Sequence, residues 1–121
     1  MAIKVNRRAV QHARSLIDRR RVVLDEREAW RAHRPSARRR DAYIEANGIR
    51  AYGTWFLAID DEAPEGTKAR HKFPYGDFQR VHRCAVLSAE VRTVQFRYSD
   101  VEAAAAQLHR LLDELTWSEA M

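Results

Sequence analysis

Two histidines, His71 and His82, are the residues of this chain whose types and spacing most suggest chemistry. They lie on either side of Gly76-Asp77, a pair that favours a two-residue hairpin turn with glycine first. Counting outward from that turn pairs residue 71 with residue 82, so we expect the two imidazoles to be cross-strand neighbours about 5 Å apart. Such a pair could share a metal ion, transfer protons or respond to pH. The alternative is that His71 is a half-buried, hydrogen-bonded residue and that His82 begins the next helix.

An acidic run before the histidines is the candidate source of a carboxylate for the same chemistry. It consists of Asp60, Asp61 and Glu62, and Asp60 and Asp61 are candidate catalytic residues beside the histidines. The run lacks the alternating oxygen-ligand spacing of a calcium loop. The alternative is a set of ion pairs with the basic residues of 68–72, each worth ~0–1 kcal/mol when exposed.

Cys84 is the single cysteine of the chain and lies on the apolar stripe of a predicted helix. That position favours a buried thiol over a nucleophile. One cysteine cannot form an internal disulfide or build a thiolate metal site by itself. Because the sequence also lacks a phosphate-binding glycine loop, a nucleophile elbow and a zinc motif, it predicts no metal site and no cofactor.

Aromatic residues in the same region predict either a hydrophobic core or a ligand pocket. The pocket candidates are Tyr52, Trp55, Phe73 and Tyr75. Their rings could line a pocket or stack on the bases of a nucleic acid. Their spacing equally fits a core, which is the alternative.

The positive charge of the chain is concentrated in its first forty residues. Residues 1–40 hold thirteen Lys or Arg against four Asp or Glu, a net +9, whereas residues 41–121 hold nine against thirteen, a net −4. Two triplets carry much of the excess: Arg19, Arg20 and Arg21, and Arg38, Arg39 and Arg40. If the fold brings the triplets to one face, they could neutralise the phosphates of a nucleic acid. The alternatives are a solvated basic surface, or one that meets the acidic part of the same or a neighbouring chain.

The elements that must position these residues are mostly helical. Asn6 can cap a first helix over about 7–20, and Ser36 can cap a second over about 37–46. Apolar residues then recur at helical spacing over 49–59, which predicts a third helix at the centre of the core.

Two more helices are predicted, over about 82–96 and 100–115, and the second of these carries a leucine-rich seam. Residues 22–24 fit either a helix end or a short strand. Alternation of apolar and basic residues predicts one short antiparallel hairpin near 69–81. The sequence therefore predicts an α+β, mostly α fold with about five helices in a single domain, 1–121. This domain combines a basic helical part, 1–40, with a motif-bearing core, 49–115.

The residues from Trp55 to about Leu115 carry an ordered series of motifs. The order is WFLxxD, EAPEGTK, KFPYGDF and VHR, followed by an alanine-rich helix and by DVEAAA before the leucine-rich helix. This series resembles a group of small uncharacterised bacterial and phage-associated proteins, and it is similar to the tail region of some tailed-phage prohead proteases. The protease domain has no counterpart in this sequence, so the resemblance implies a phage or mobile-element setting without proteolytic activity.

These observations favour a non-catalytic binding or assembly module whose partner is a protein or a nucleic acid. The rival hypothesis is a small enzyme that uses His71 and His82 for acid–base chemistry in an aromatic-lined pocket. The leucine-rich seam and the opposite charges of the two parts predict a homo-oligomer. No apolar run approaches the ~18 residues of a membrane span, so no membrane partner is expected, and the cytoplasm is the expected location.

Overall fold

The structure is a computed structural model that describes residues 2–120, with side chains described for residues 2–117. Six α-helices and two small groups of strands make up this region, which confirms the predicted α+β, mostly α class. In chain order the elements are β1 (Ile3–Val5), α1 (Arg7–Asp18), β2 (Val22–Val23), α2 (Trp30–His33), α3 (Ala37–Asn47), α4 (Ile49–Gly53), β3 (Phe56–Asp60), β4 (His71–Pro74), β5 (Val81–His82), α5 (Arg83–Gln95) and α6 (Ser99–Ala120). Two 3₁₀ turns, Arg27–Ala29 and Lys68–Arg70, precede α2 and β4.

The strands form one antiparallel sheet in the order β1-β3-β4 and one parallel pair, β2-β5. Strand β3 is central, because Ile3 pairs with Asp60 on one side and His71 pairs with Ile59 on the other. Leu57 is fully buried at its middle. The sheet therefore holds β4, which carries His71, against the centre of the molecule.

Helices α1, α5 and α6 pack around this sheet and complete the core. The buried face of α1 is spaced as an amphipathic helix requires, with Ala9, Ala13, Leu16 and Ile17 inward. The seam of α6 is also turned inward, through Val101, Ala105, Leu108, Leu112 and Leu115. The leucine-rich seam thus packs inside its own chain.

The predicted third helix over 49–59 is wrong in its second half. Helix α4 ends at Gly53, and β3 begins at Phe56. A strand that is buried on both faces is apolar at every position, so its sequence resembles a buried helix and periodicity cannot separate the two. Pairing with β1 and β4, which lie far away in the chain, decides the outcome.

The predicted hairpin register, with His71 opposite His82, is also wrong. Strand β4 pairs with β3, while β5 pairs with β2, and near the turn the His82 backbone N–H donates to the carbonyl oxygen of Tyr75. Asp77 explains the shift, because its Oδ1 accepts the backbone N–H groups of Gln79 at 3.0 Å and Arg80 at 2.8 Å. This side-chain turn, with Phe78 at a φ of 71°, makes the connection four residues long instead of two.

The segment between β2 and α3 crosses the molecule and packs against α5. Residues 22–24, which fitted either a helix or a strand, contribute β2, and its parallel partner β5 leads directly into α5. The 3₁₀ turn Arg27–Ala29 and α2 both contact α5. One wall of a cleft is formed in this way.

Candidate functional site

A half-open cleft of about 850 Å³ lies between the segment 27–34 and β4. A cavity of this size can hold a small ligand or a short piece of an extended chain. Seven cationic side chains line it: Arg27, Arg31, Arg34, Arg40, Lys68, Lys72 and Arg92.

The cleft carries a large excess of positive charge. Glu28 is the one carboxylate among its lining residues. Lys68 is neutralised by Asp41, whose Oδ1 lies 2.6 Å from its Nζ. The other six lining cations have no ion-pair partner among the side chains of residues 2–117. Unpaired cations around one cavity attract anionic groups such as phosphates.

Aromatic rings lie among these cations. Trp30 and Phe73 are half-buried lining residues, whereas Tyr52 and Phe56 are buried beneath the cleft surface. The guanidinium carbon of Arg92 lies 5.5 Å from the centroid of the Phe73 ring, a cation–π arrangement. The cleft therefore combines flat apolar surface with positive charge.

His71 lines the same cleft and is held uncharged. Burial, and then the positive charge of Arg70, lower the pKa of His71 below its ordinary value. Its Nδ1 is buried without a hydrogen-bond partner among the described residues. A neutral imidazole can accept a proton near pH 7, so His71 keeps the capacity for base chemistry.

Two of the four predicted pocket aromatics line the cleft, and two lie elsewhere. Tyr52 and Phe73 are lining residues, whereas Trp55 and Tyr75 stack on each other in the core with ring centroids 5.3 Å apart. The Tyr75 hydroxyl donates to the carbonyl oxygen of Thr54 at 2.7 Å. Burial raises the pKa of Tyr75 well above its ordinary value, so it acts as a structural donor.

His82 lies apart from His71 and is held between two carboxylates. Its Nδ1 lies 2.8 Å from Asp25 Oδ2, and its Nε2 lies 2.8 Å from Asp77 Oδ2. Burial alone would lower the pKa of His82, but the hydrogen bonds and charges of Asp77 and Asp25 outweigh it and raise the pKa. With both ring nitrogens donating to carboxylates, His82 has no nitrogen free to accept a proton.

Asp25 is the centre of this second group, the Asp25 cluster, which comprises Asp25, His33, His82 and Cys84. Its Oδ2 lies 2.7 Å from His33 Nδ1 and 2.9 Å from Cys84 Sγ, and its Oδ1 accepts the Cys84 backbone N–H at 2.8 Å. Burial alone would raise the pKa of Asp25, but these hydrogen bonds, led by those from Cys84, lower it to about 2.

Cys84 is fully buried, as the sequence predicts. Burial and the neighbouring Asp25 carboxylate both raise the pKa of its thiol. The thiol is therefore protonated near pH 7, which makes it a poor nucleophile.

Asp60 and Asp61 contact backbone groups and cations instead of the histidines. Asp60 Oδ1 accepts two backbone N–H groups, at 3.0 and 3.2 Å. Asp61 lies 3.0 Å from Lys4 Nζ and 3.7 Å from the guanidinium of Arg70. The predicted alternative, ion pairing with the basic residues of 68–72, is therefore formed through Arg70.

The first arginine triplet lies at the end of α1. Arg19 and Arg20 donate to backbone carbonyls of the last turn of that helix, where a cation is favoured by the helix dipole. Arg21 donates to a backbone carbonyl of the turn 77–80 at 3.3 Å.

The second triplet is divided between two surfaces. Arg39 also donates to a carbonyl of the turn 77–80, at 3.3 Å, so each triplet sends one member to that turn. Arg38 is exposed, and Arg40 lines the cleft. Arg40 is thus the member of the two triplets that lines the cleft.

The segment 27–34 is the part of the cleft that sequence reasoning did not single out. Arg27, Arg31 and Arg34 recur at i, i+4 and i+7, and this helical spacing was the available signal. In the structure Arg27 lies in the 3₁₀ turn, Arg31 in α2, and Arg34 directly after α2. Asp25 gave no such signal, because its partners His82 and Cys84 lie 57 and 59 residues away.

Comparisons of the chain with protein-family models, with curated proteins and with solved structures found no match in any of the three. Within residues 2–120, no helix is both long enough and apolar enough to cross a membrane. A function is therefore inferred from the side chains themselves.

Proposed function

We propose that the protein is a non-catalytic module that binds single-stranded nucleic acid in the basic cleft. One observation carries this proposal: six cations without ion-pair partners among the described side chains surround a cavity of about 850 Å³ that also presents aromatic rings. Proteins that bind single strands without sequence preference combine these two features, a positive groove for the backbone and aromatic rings for the bases.

The two kinds of lining residue would hold different parts of the ligand. Arg27, Arg31 and Arg34 on one wall, with Lys72 across the cleft, would contact phosphates. Trp30 would stack on a base, an interaction worth ~1–3 kcal/mol per base. Bases are free to stack on protein rings in a single strand but not inside a duplex, so we expect a preference for single strands.

Sequence preference should be weak, because phosphate contacts position a nucleic acid without reading its bases. The same contacts make affinity fall steeply with salt, since each one releases a bound counterion. The resemblance of 55–115 to phage-associated proteins supports a phage or mobile-element setting for such a module. Gene neighbourhood tests that setting, and neighbouring capsid or DNA-processing genes are the expected result.

The binding experiment compares two double variants that remove the same charge. Arg31→Ala/Arg34→Ala removes two exposed arginines of the cleft, and Arg19→Ala/Arg20→Ala removes two exposed arginines outside it. Each is titrated into a labelled oligothymidylate of about 12 nucleotides, a length within the range that one binding domain covers. Fluorescence anisotropy gives the affinity.

The cleft variant should bind about tenfold or more weakly, because each charged hydrogen bond contributes ~1.5–3 kcal/mol. The control variant should lose much less. Equal losses in the two variants would contradict a site in the cleft, and a larger loss in the control variant would place the site at the first triplet. Absence of binding by the unchanged protein at about 50 mM salt, where phosphate contacts are strong, would reject nucleic acid as the ligand.

The competing candidate is a small enzyme in which His71 performs acid–base chemistry in the same cleft. The observation in its favour is that His71 lines the cleft and is held neutral by burial. His82 would not share this task, since both of its nitrogens contact carboxylates. Turnover of an oligonucleotide that disappears in His71→Ala, with binding retained, would favour the enzyme over the binding module.

A further inference from the structure

The Asp25 cluster brings together four metal-ligating atoms from two distant parts of the chain. Asp25 and His33 come from the segment before α3, and His82 and Cys84 come from β5 and the first turn of α5. Their ligand atoms, a carboxylate oxygen, two imidazole nitrogens and a sulfur, all lie within 4.8 Å of one another. Cysteine, histidine and aspartate all bind zinc in proteins, and four such ligands complete a tetrahedral site.

We propose that this cluster binds one zinc ion, through Asp25 Oδ2, His33 Nδ1, His82 Nδ1 and Cys84 Sγ. Zinc fits better than calcium or magnesium, because a thiolate and two imidazoles are ligands those harder ions avoid. With all four positions filled by side chains, the site is structural.

Convergence on one oxygen of Asp25 brings the side chains of this cluster close together. Asp25 Oδ2 has three polar atoms within 2.9 Å, from His33, His82 and Cys84, although a carboxylate oxygen has only two lone pairs. These atoms surround a ligand oxygen and not the position of an ion, so the proposal rests on the four ligand atoms lying within 4.8 Å of one another. Zinc bonds of about 2.0–2.3 Å would separate the ligand atoms by more than these hydrogen bonds do. Binding therefore requires the hydrogen-bonded atoms to separate to about 3.3–3.8 Å, the spacing of tetrahedral zinc ligands, and any wider pair of ligand atoms to move together.

The surrounding groups already hold two of the ligands in place. Asp77 Oδ2 lies 2.8 Å from His82 Nε2, and Asp77 Oδ1 is itself fixed by two backbone N–H groups of its turn. A carboxylate on the far nitrogen of a ligating histidine is the usual partner at zinc sites. The Cys84 backbone N–H holds Asp25 Oδ1 at 2.8 Å, which leaves Oδ2 to bind the ion.

Charge and access are also suitable. Zinc would carry two positive charges against the Asp25 carboxylate and the Cys84 thiolate, which leaves the four-ligand centre neutral. Zinc takes the place of three protons: those of the Cys84 thiol and His82 Nδ1 are released to solvent, and His33 gives up its Nδ1 proton and carries one on Nε2. His82 and Cys84 are buried and the Asp25 side chain is 8% exposed, while the His33 side chain is 41% exposed and offers a route for the ion.

An ion here would tie the segment 25–34 to the start of α5. That segment carries Arg27, Arg31 and Arg34 of the cleft wall. Metal binding would therefore stabilise one wall of the cleft, whatever ligand the cleft holds.

The test is metal content and spectroscopy of the full chain after reconstitution with zinc, and separately with cobalt, followed by removal of loose metal with a chelator. We expect one equivalent of zinc, and a cobalt spectrum with tetrahedral visible bands and a thiolate-to-cobalt charge-transfer band. Cys84→Ser should abolish that charge-transfer band. Asp77→Asn, which keeps all four ligands, should weaken binding by about 10–100-fold.

The variant His33→Gln separates loss of zinc from misfolding. His33 is the exposed ligand, so its replacement leaves the buried contacts in place. It should lose zinc while keeping its circular dichroism spectrum. The matched control is His109→Gln, in which a partly exposed histidine with Glu90 and Asp113 as partners lies outside the cluster. Failure of the unchanged protein to retain stoichiometric zinc, or equal retention by His33→Gln and His109→Gln, would overturn the proposal.

Discussion

His71 is held at the cleft by its fit against Gly53. A Cβ atom added to Gly53 would lie 2.6 Å from His71 Cε1 and 3.0 Å from Nδ1. The rings of Tyr52 and Phe56 flank the imidazole, with centroids 5.6 and 5.9 Å away. Because Nδ1 has no hydrogen-bond partner among the described residues, packing positions this side chain.

Gly53→Ala should therefore destabilise the protein, although alanine is the better helix former. The added methyl group forces the His71 ring to move, and such overpacking costs about 1–3 kcal/mol. Chemical denaturation measures the change in the free energy of unfolding. In a His71→Ala background the space is vacated, so the same substitution should become neutral or stabilising. A destabilisation of equal size in both backgrounds would show that His71 is not the obstacle.

The low pKa of His71 makes stability depend on pH. The folded state holds His71 neutral, while the unfolded chain protonates it near pH 6.5, so the unfolded state binds more protons below that pH. The contribution of His71 to the free energy of unfolding is constant above about pH 6.5. Stability falls as the pH drops from there toward the pKa of His71 in the folded state. His12, whose pKa is also lowered chiefly by burial, acts in the same direction.

Denaturation curves at pH 8 and pH 5 measure this effect as a difference between the unchanged protein and His71→Gln. The variant retains the His12 contribution but should lose less stability between the two pH values. Identical losses would mean that His71 titrates normally in the folded state.

Residue properties that depend on nearby sequence could be predicted, and those that depend on distant partners could not. The caps Asn6 and Ser36 and the burial of Cys84 followed from local patterns, and the structure confirms all three. The contact between His82 and Asp25 could not be predicted in this way, because the two residues lie 57 positions apart and meet only after the chain has folded.

The two predicted helix caps differ greatly in their surroundings. Asn6 is buried, and its amide nitrogen donates to the carbonyl oxygens of Gly53 and Phe56 while its Oδ1 accepts the Ala9 N–H. Ser36 is exposed and accepts one backbone N–H, at 3.1 Å. Asn6 therefore joins α1 to α4 and β3, whereas Ser36 serves only its own helix.

Asn6→Ala should cost about 2–4 kcal/mol, since it removes a cap and leaves buried carbonyls unsatisfied. Ser36→Ala, the matched exposed cap, should cost only about 1 kcal/mol. Thermal or denaturant unfolding of the two variants provides the comparison. Similar costs for both would show that the Asn6 contacts to α4 and β3 contribute little.

The elements that could be predicted were those with an amphipathic pattern. Helices α1 and α5 lie close to their expected ranges, because each buries apolar residues against the rest of the chain. Helix α3 has no buried residue, and its start was found from the Ser36 cap instead. Strand β3 gave no such pattern, since its residues are nearly all buried. The prediction of a two-residue turn was wrong for another reason. Hydrogen bonds to the Asp77 side chain stabilise a four-residue turn, 77–80, in its place.

The positive charge of residues 1–40 is spread over more than the two triplets, of which Arg21 and Arg39 meet at the turn 77–80. The cleft takes Arg40 from the second triplet and three arginines from 27–34, and it adds cations from β4 and α5. Tyr52, Phe73 and His71 were candidates from the sequence and line this cleft. The other wall of the cleft is formed by the packing of 27–34 against α5, which local sequence patterns do not predict.

Homo-oligomerisation stays a prediction, and the fold changes which surface it would use. The leucine-rich seam of α6 is buried within the chain, so a second copy would have to contact other residues. Trp117, which is 70% exposed, is the most exposed of the large apolar side chains described. Light scattering at high micromolar concentration should show a dimer or larger species that Trp117→Ser weakens. A monomer at that concentration would reject the prediction.

The salt dependence of single-strand binding tests the cleft most directly. For single strands the slope of log affinity against log salt is about −0.7 for each phosphate neutralised. Removing two cleft arginines in Arg31→Ala/Arg34→Ala should therefore flatten the slope by up to about 1.4. The slope for Arg19→Ala/Arg20→Ala should stay close to that of the unchanged protein. A cleft variant with an unchanged slope, or a control variant that flattens as much, would contradict binding in the cleft.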